Sequence, residues 1–315
     1  MSNLKELIKN KIKENKPKLN EKSIVAYSIM LYGIYKEVFK NIDKIDLDTR
    51  ALDNFYNYKP IIKYLTEKYE PSQRKTYLAS LLTVAPEVSE YKTDMMKDIK
   101  IYNEEQLKQN KNDKELKNNI TKDDINNKID EYENLFYKTY GKDPDEITVK
   151  DFQNMQNYVL LCCCCGVYIP VRRSIDWTDM KITNINKDEN NYIDLEDDKF
   201  IFNNYKTSKS FKKQVVKIPD KLLKIICNFL TVSLRNNKSG YLFCDDYYNK
   251  LSNIKLNYRF NKIFNGNISI NQFRHLSVTD KLKGKGVNGV SIKELMQDAD
   301  DMGHSLKQHL LYGKF

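Results

Sequence analysis

Tyr312 stands three residues before the end of this chain, about two helical turns after a Gly303-His304-Ser305 turn. Upstream lie Arg274-His275, Lys206 and the adjacent pair Arg172-Arg173. Arginine, lysine, arginine, histidine and tyrosine, in that order, are the parts a phenol needs to attack a phosphodiester without a metal. Planar guanidinium forks hold two non-bridging phosphate oxygens. A lysine tuned toward neutrality can protonate a departing oxygen, and a tyrosine can carry the phosphorus covalently. Each residue also has an ordinary reading. An Arg-Arg pair is commonly surface charge, and most lysines in a run such as Lys206, Lys209, Lys212 and Lys213 are simply solvated. A single tyrosine among 22 is normally core or surface. The order and spacing of the set, rather than any one member, give it weight.

The elements that must position these residues are mostly helical. Apolar residues Ile24, Tyr27, Leu31, Ile34 and Val38 recur at helical spacing after Asn20, a good N-cap. Pro60 and Ser72 open two further helices, the second ended by Pro86, while Pro17 is expected to stop any earlier one. Residues 1–90 therefore read as a small helical domain whose exposed faces offer Lys36, Lys40, Arg74 and Lys75 either to solvent or to phosphates. From 91 to 134 the composition shifts to Lys, Asn, Glu and Asp, which predicts a charged linker or an exposed helix and the domain boundary.

The larger domain, 135–315, opens with a helix capped by Thr148 that runs into Cys162-Cys163-Cys164-Cys165. Cys162 and Cys165 form a C-x-x-C, but no second pair or nearby histidine completes a zinc site, so the cysteines read as packing and no metal or cofactor is expected. Residues 182–202 alternate as strands, and Tyr205–Ile218 reads as a hairpin turn with a returning strand. Helices follow at 221–234, 255–264, 271–282 and 291–298, with a glycine-rich insertion, Gly284–Gly289, before the last. The fold class is mainly α with a small antiparallel β-sheet.

At 315 residues and a net charge of +10 the chain suits two domains and a polyanionic partner. It has no run of eighteen apolar residues and no signal-like N-terminus, so a soluble intracellular protein without a membrane role is expected.

The motifs Pro170-Val-Arg-Arg-Ser-Ile-Asp-Trp177, Tyr205-Lys206-Thr207, Asn271-Gln-Phe-Arg274 and Gly303-His304 with Tyr312 resemble, in order, those of the tyrosine recombinase or phage-integrase family. The wording is closest to integrases of large DNA viruses and their virophages. The resemblance covers roughly 15–315 and is strongest from 165 onward. It implies a helical core-binding domain and a DNA breaking-rejoining catalytic domain forming a C-shaped clamp on double-stranded DNA, and a tetramer on two duplexes. Arg173 matches the first arginine because Asp176 stands three residues on, where the family keeps a buttressing acid; Arg172 is its competitor. Lys206 matches the lysine that protonates the 5′ oxygen, with Lys209 as the alternative. Arg274 matches the second arginine, His304 the second histidine and Tyr312 the nucleophile. Asn271 stands where the family usually has a histidine, and asparagine cannot take and return a proton at neutral pH, which leaves the general base open. His275 is expected to pack or orient, and His309 to face solvent. Only three residues follow Tyr312, where many members carry a tail helix. The same residue set also serves type IB topoisomerases, and Asn271 would equally suit a DNA-binding protein with a decayed site.

Overall fold

The computed structural model describes residues 2–39, 49–111, 113–285 and 290–314. Lys40 and residues 286–289 of the glycine-rich insertion lie outside them. The chain divides into two compact units, Met1–Lys108 and Gln109–Phe315.

The first unit is helical: α1 (Ser2–Asn15), α2 (Glu21–Val38), α3 (Tyr58–Lys68), α4 (Pro71–Val84) and α5 (Ser89–Leu107), with a 3₁₀ stretch at Thr49–Tyr56. Asn20 caps α2, its side chain accepting from the Ser23 amide. Pro17 does not prevent an early helix. It follows α1, whose Leu4, Ile8 and Ile12 make one buried stripe within a lysine-rich segment. These pack with Leu31, Ile34, Phe55, Leu65, Leu81 and Tyr91 into the unit's own core. The basic residues of α4 are largely engaged. Arg74 binds Asp98 through two hydrogen bonds of 2.8 and 2.6 Å, and the Lys75 ammonium sits 2.9 Å from the centre of the Tyr102 ring.

The second unit comprises α6 (Asp113–Lys117), α7 (Lys122–Tyr140), α8 (Val149–Cys164), α9 (Ser174–Thr178), β1 (Met180–Lys181), β2 (Asn191–Asp194), β3 (Lys199–Phe202), α10 (Ser208–Phe211), β4 (Gln214–Lys217), α11 (Asp220–Asn236), α12 (Asn253–Phe264), α13 (Ile270–Lys285), α14 (Ile292–Asp301) and α15 (Leu306–Leu310). The charged stretch 91–134 is thus mostly helix, shared between the units. Sparse but periodic residues, Tyr91 in α5 and Ile125 and Ile129 in α7, anchor it to the two cores. Thr148 caps α8 in a reciprocal capping box with Asp151. That helix carries Cys162–Cys164 fully buried, with Cys165 beside them, and burial pushes the Cys163 and Cys164 thiols well up.

The sheet runs β1-β2-β3-β4. β2–β3 and β3–β4 are antiparallel, as alternation predicts, but β1 pairs with β2 in parallel, so the sheet is mixed. The link between β1 and β2 is a nine-residue excursion, too long for a tight hairpin, and it returns the chain in its original direction. Trp177 stands edge-on to Phe200 and Phe202 of β3, at 5.2 and 5.8 Å between ring centres, which ties α9 to the sheet. The expected hairpin turn between β3 and β4 contains the short helix α10. Among the described residues no helix is long and apolar enough to cross a membrane.

Candidate active site

The C-terminus of α14 organises the site. The Gly303 amide donates to the Asp300 carbonyl at 2.8 Å and the His304 amide to the Ala299 carbonyl at 3.0 Å, the paired bonds of a Schellman cap with glycine at the left-handed position, φ 68°. Such an ending leaves the last carbonyls of the helix without intrahelical donors, at the negative end of its dipole. Three arginines meet those of Asp301, Met302 and Gly303, and an amide adds a further donor to that of Asp300. Arg172 Nη1 donates to the Asp301 carbonyl at 2.5 Å, and Arg274 Nη1 to those of Met302 and Val171 at 3.3 Å each. Arg173 Nη1 donates to the Gly303 carbonyl at 2.8 Å. Gln214 Nε2 of β4 reaches the Asp300 carbonyl at 2.6 Å.

Arg172 and Arg173 arrive on the extended stretch that follows α8, after Gly166 turns the chain at φ 82°. Asp176, the acid expected to buttress Arg173, pairs instead with Arg172, Nε to Oδ2 at 3.0 Å, the two side chains being 1% and 0% exposed. The Arg172 guanidinium also lies 3.9 Å above the Phe202 ring. Burial lowers the Arg172 pKa and raises that of Asp176, each opposed by the partner's charge. Arg172 is therefore a strut sealed in the core, whereas half-buried Arg173 is the member of the pair open toward solvent.

Arg274 on α13 is fully buried. Its Nη2 lies 2.5 Å from His304 Nδ1, and its guanidinium carbon 4.8 Å from the centre of the Tyr312 ring. Burial lowers its pKa to about 10, with the Tyr312 phenol raising it and Arg173 lowering it further. His304 stacks on Tyr312, 5.1 Å between ring centres and 23° between planes. On the other side His275 lies 4.8 Å from Tyr312, and its Nδ1 donates to the Tyr312 carbonyl at 2.8 Å, so it orients the tyrosine backbone. Burial pushes His304 down to about 2, helped by Arg274 and then His309, so this imidazole is neutral at any ordinary pH. The segment after it is held by Gln109, which donates to the Leu310 carbonyl at 2.8 Å, and by Thr279, which accepts from the Lys314 amide at 2.8 Å.

Arg173, Arg274, His304 and Tyr312 thus come together. Lys206 and Asn271 do not join them directly. Lys206 is exposed on the turn after β3, as is Lys209 on α10, and no hydrogen bond or ion pair joins the Lys206 amine to a described residue. Its turn is nevertheless tied to the cluster, because Thr207 Oγ1 donates to the Gly303 carbonyl at 2.7 Å, the atom Arg173 also reaches. Asn191 fixes the base of that turn. It is buried in β2, donates to the Asp176 and Asn204 carbonyls, and accepts from the amides of Asn203 and Asn204. Asn271 is exposed on the first turn of α13, and no hydrogen bond joins it to the cluster.

Sequence reasoning missed Asn191, Thr207 and Gln214, ordinary polar residues whose partners are distant in sequence. It also misplaced His309, which is 1% exposed rather than facing solvent, with Nδ1 3.1 Å from His304 Nε2. Five buried polar atoms of the cluster, Arg172 Nη2, Asp176 Oδ1, Gln214 Oε1, Arg274 Nε and His309 Nε2, have no partner. Among the described residues no group of His, Cys, Asp and Glu is arranged to hold a metal.

No protein-family model matches the chain, and no curated protein matches it in sequence. Among solved structures it is similar to the XerH site-specific recombinase bound to a palindromic difH substrate in a post-cleavage complex, at 13% identity and a TM-score of 0.41, over 98% of this chain and 90% of that one.

Proposed function

We propose that this chain is a site-specific tyrosine recombinase of the integrase type, which cleaves and rejoins double-stranded DNA through a 3′-phosphotyrosyl intermediate. The observation that carries the reading is the meeting of Arg274, His304 and Tyr312 in one buried cluster with Arg173 at its open edge. In the reaction the Tyr312 phenol releases its proton to solvent, the Tyr312 Oη–P bond forms as the P–O5′ bond breaks, and the Lys206 ammonium supplies the proton that leaves a free 5′-hydroxyl. Arg173 and Arg274 neutralise the equatorial oxygens and neutral His304 donates a hydrogen bond to one of them, so the protein supplies position and charge rather than a metal or cofactor. The bond energy stays in the phosphotyrosine, and a 5′-hydroxyl from a second strand reverses the step without ATP. The partners are two duplexes held by a tetramer of this chain. Phosphate contacts dominate affinity, so binding falls steeply with salt. The style of the motifs favours integration of a viral or virophage genome as the setting.

A DNA-binding protein with an inactive site is the second reading, favoured by the exposed Asn271 outside the cluster. Incubation with a randomised pool of nicked duplexes separates the two. Wild type accumulates a covalent protein–DNA adduct and Tyr312→Phe accumulates none; binding without an adduct in wild type supports the inactive reading. Exchange of strands between two duplexes, rather than relaxation of supercoils alone, then distinguishes a recombinase from a type IB topoisomerase.

A further inference from the structure

The hydrogen-bond chain through His304 and His309 has a fixed direction. A guanidinium only donates, so the His304 Nδ1 facing Arg274 Nη2 at 2.5 Å must be bare. His304 is neutral, and its one ring proton therefore sits on Nε2, pointing at His309 Nδ1 3.1 Å away. His309 Nδ1 must then accept, which places the His309 proton on Nε2. That nitrogen is buried and has no partner, and the residue lines a cavity of about 240 Å³ with Tyr168, Ser277, Lys281 and Asp298. We propose that His309 is a positioning residue of this site: it accepts the Nε2 proton of His304 and so holds His304 in the tautomer whose bare Nδ1 faces Arg274.

The consequence for the site follows from donor counting. Were the His304 proton to move to Nδ1, an N–H would face a guanidinium N–H, and Arg274 would lose the acceptor that keeps it beside Tyr312. The proton that His304 can offer to an incoming phosphate oxygen is also the one now held by His309. Arg274 and His309 thus fix Nε2 as the donor atom of His304 from its two ends, Arg274 by facing Nδ1 with a donor and His309 by accepting the Nε2 proton. The charged and titratable groups around the pair are Arg172, Arg173, Arg274 and the stacked Tyr312 phenol at His304, and Asp298, Lys281 and Arg274 at His309. Lys281 and Asp298, both lining the cavity, are themselves ion-paired. What the positioning serves rests on the phosphoryl-transfer reading; the tautomer itself does not.

The chain has only three histidines, so ¹⁵N spectra of the histidine-labelled protein resolve every ring. In wild type, His304 should remain a single Nε2–H tautomer from pH 8 to pH 5. In His309→Leu it should become a mixture of tautomers or begin to titrate in that window. In His309→Asn, whose side-chain oxygen can take the place of Nδ1, the single tautomer should return. An Nδ1–H tautomer in wild type, or a His304 ring unchanged in a folded His309→Leu, overturns the proposal. Kinetically, His309→Leu should slow adduct formation on nicked DNA by about tenfold to a hundredfold, the range for losing a partner that orients a functional histidine. It should also change the pH profile, and His309→Asn should recover both. An adduct rate and profile unaffected by His309→Leu likewise counts against the proposal. If wild type forms no adduct while the spectra behave as expected, the phosphoryl-transfer reading fails and the tautomer assignment stands.

Discussion

Replacing Gly303 by alanine tests whether the cap at the end of α14 holds the arginines in place. The residue has φ 68°, and a methyl group there would lie 3.3 Å from Arg172 Nη2, 3.4 Å from Arg173 Nη1 and 3.5 Å from Gln214 Oε1. The left-handed conformation costs an L-residue about 1–2 kcal/mol. The contact to Arg172 is tight and those to Arg173 and Gln214 are close to ordinary van der Waals distance, so they add only a shift of a few tenths of an ångström and backbone strain dominates. Alanine also restricts the unfolded chain, which returns up to about 1 kcal/mol. The net loss is about 1 kcal/mol, a fall of about 2–4 °C in the melting of the Gln109–Phe315 unit. Calorimetry on Gly303→Ala beside Gly266→Ala makes the comparison, because Gly266 lacks a positive φ and its nearest contact is 3.7 Å. Equal melting temperatures for the two variants would refute the reasoning. The rate of adduct formation should fall further than stability alone explains, since the strained backbone shifts the Gly303 carbonyl that Arg173 holds.

Stability should fall as the solution is acidified below the ordinary histidine pKa of 6.5. All three histidines have folded pKa values below it, chiefly through burial, so the unfolded chain takes up protons that the folded one refuses. The stability they contribute is present above pH 6.5 and lost as pH drops, by about 1.4 kcal/mol per pH unit for a fully buried histidine. Asp176 and Asp301, whose carboxyls burial pushes up, work in the opposite sense. Denaturant titrations of wild type and His304→Gln between pH 7 and 5 isolate the histidine; the variant should show the shallower slope. In the first unit, Arg74→Ala leaves the carboxylate of Asp98, 2% exposed, without its partner. That should cost about 3–5 kcal/mol in urea unfolding. A change below 1 kcal/mol would mean the pair is not a structural ion pair.

Local signals made much of the fold legible. Asn20, Thr148 and Ser291 each cap the helix that follows, because a short polar side chain before an apolar period satisfies the first free amides. The cysteine run sits inside a helix because cysteine packs as a small hydrophobe. Features set by distant partners were less visible. In α1 the apolar stripe is diluted by lysines, so composition hides it. The parallel β1–β2 pair depends on where the intervening excursion returns. The spacing to Asp176 was compatible with either arginine, and only the packing of Phe202 under Arg172 separates the strut from its neighbour. The order of Arg173, Arg274, His304 and Tyr312 was readable, but the reason they meet was not. The free carbonyls of the α14 terminus gather the arginines, and no residue type announces a carbonyl.

The most direct measurement of the central claim is mass spectrometry on the trapped adduct, digested with nuclease and protease. The account predicts a single nucleotide remnant, joined through its 3′-phosphate, on the peptide carrying Tyr312 and on none of the other 21 tyrosines, together with a free 5′-hydroxyl on the released strand. A remnant on any other residue, or a 5′-linked one, would contradict it.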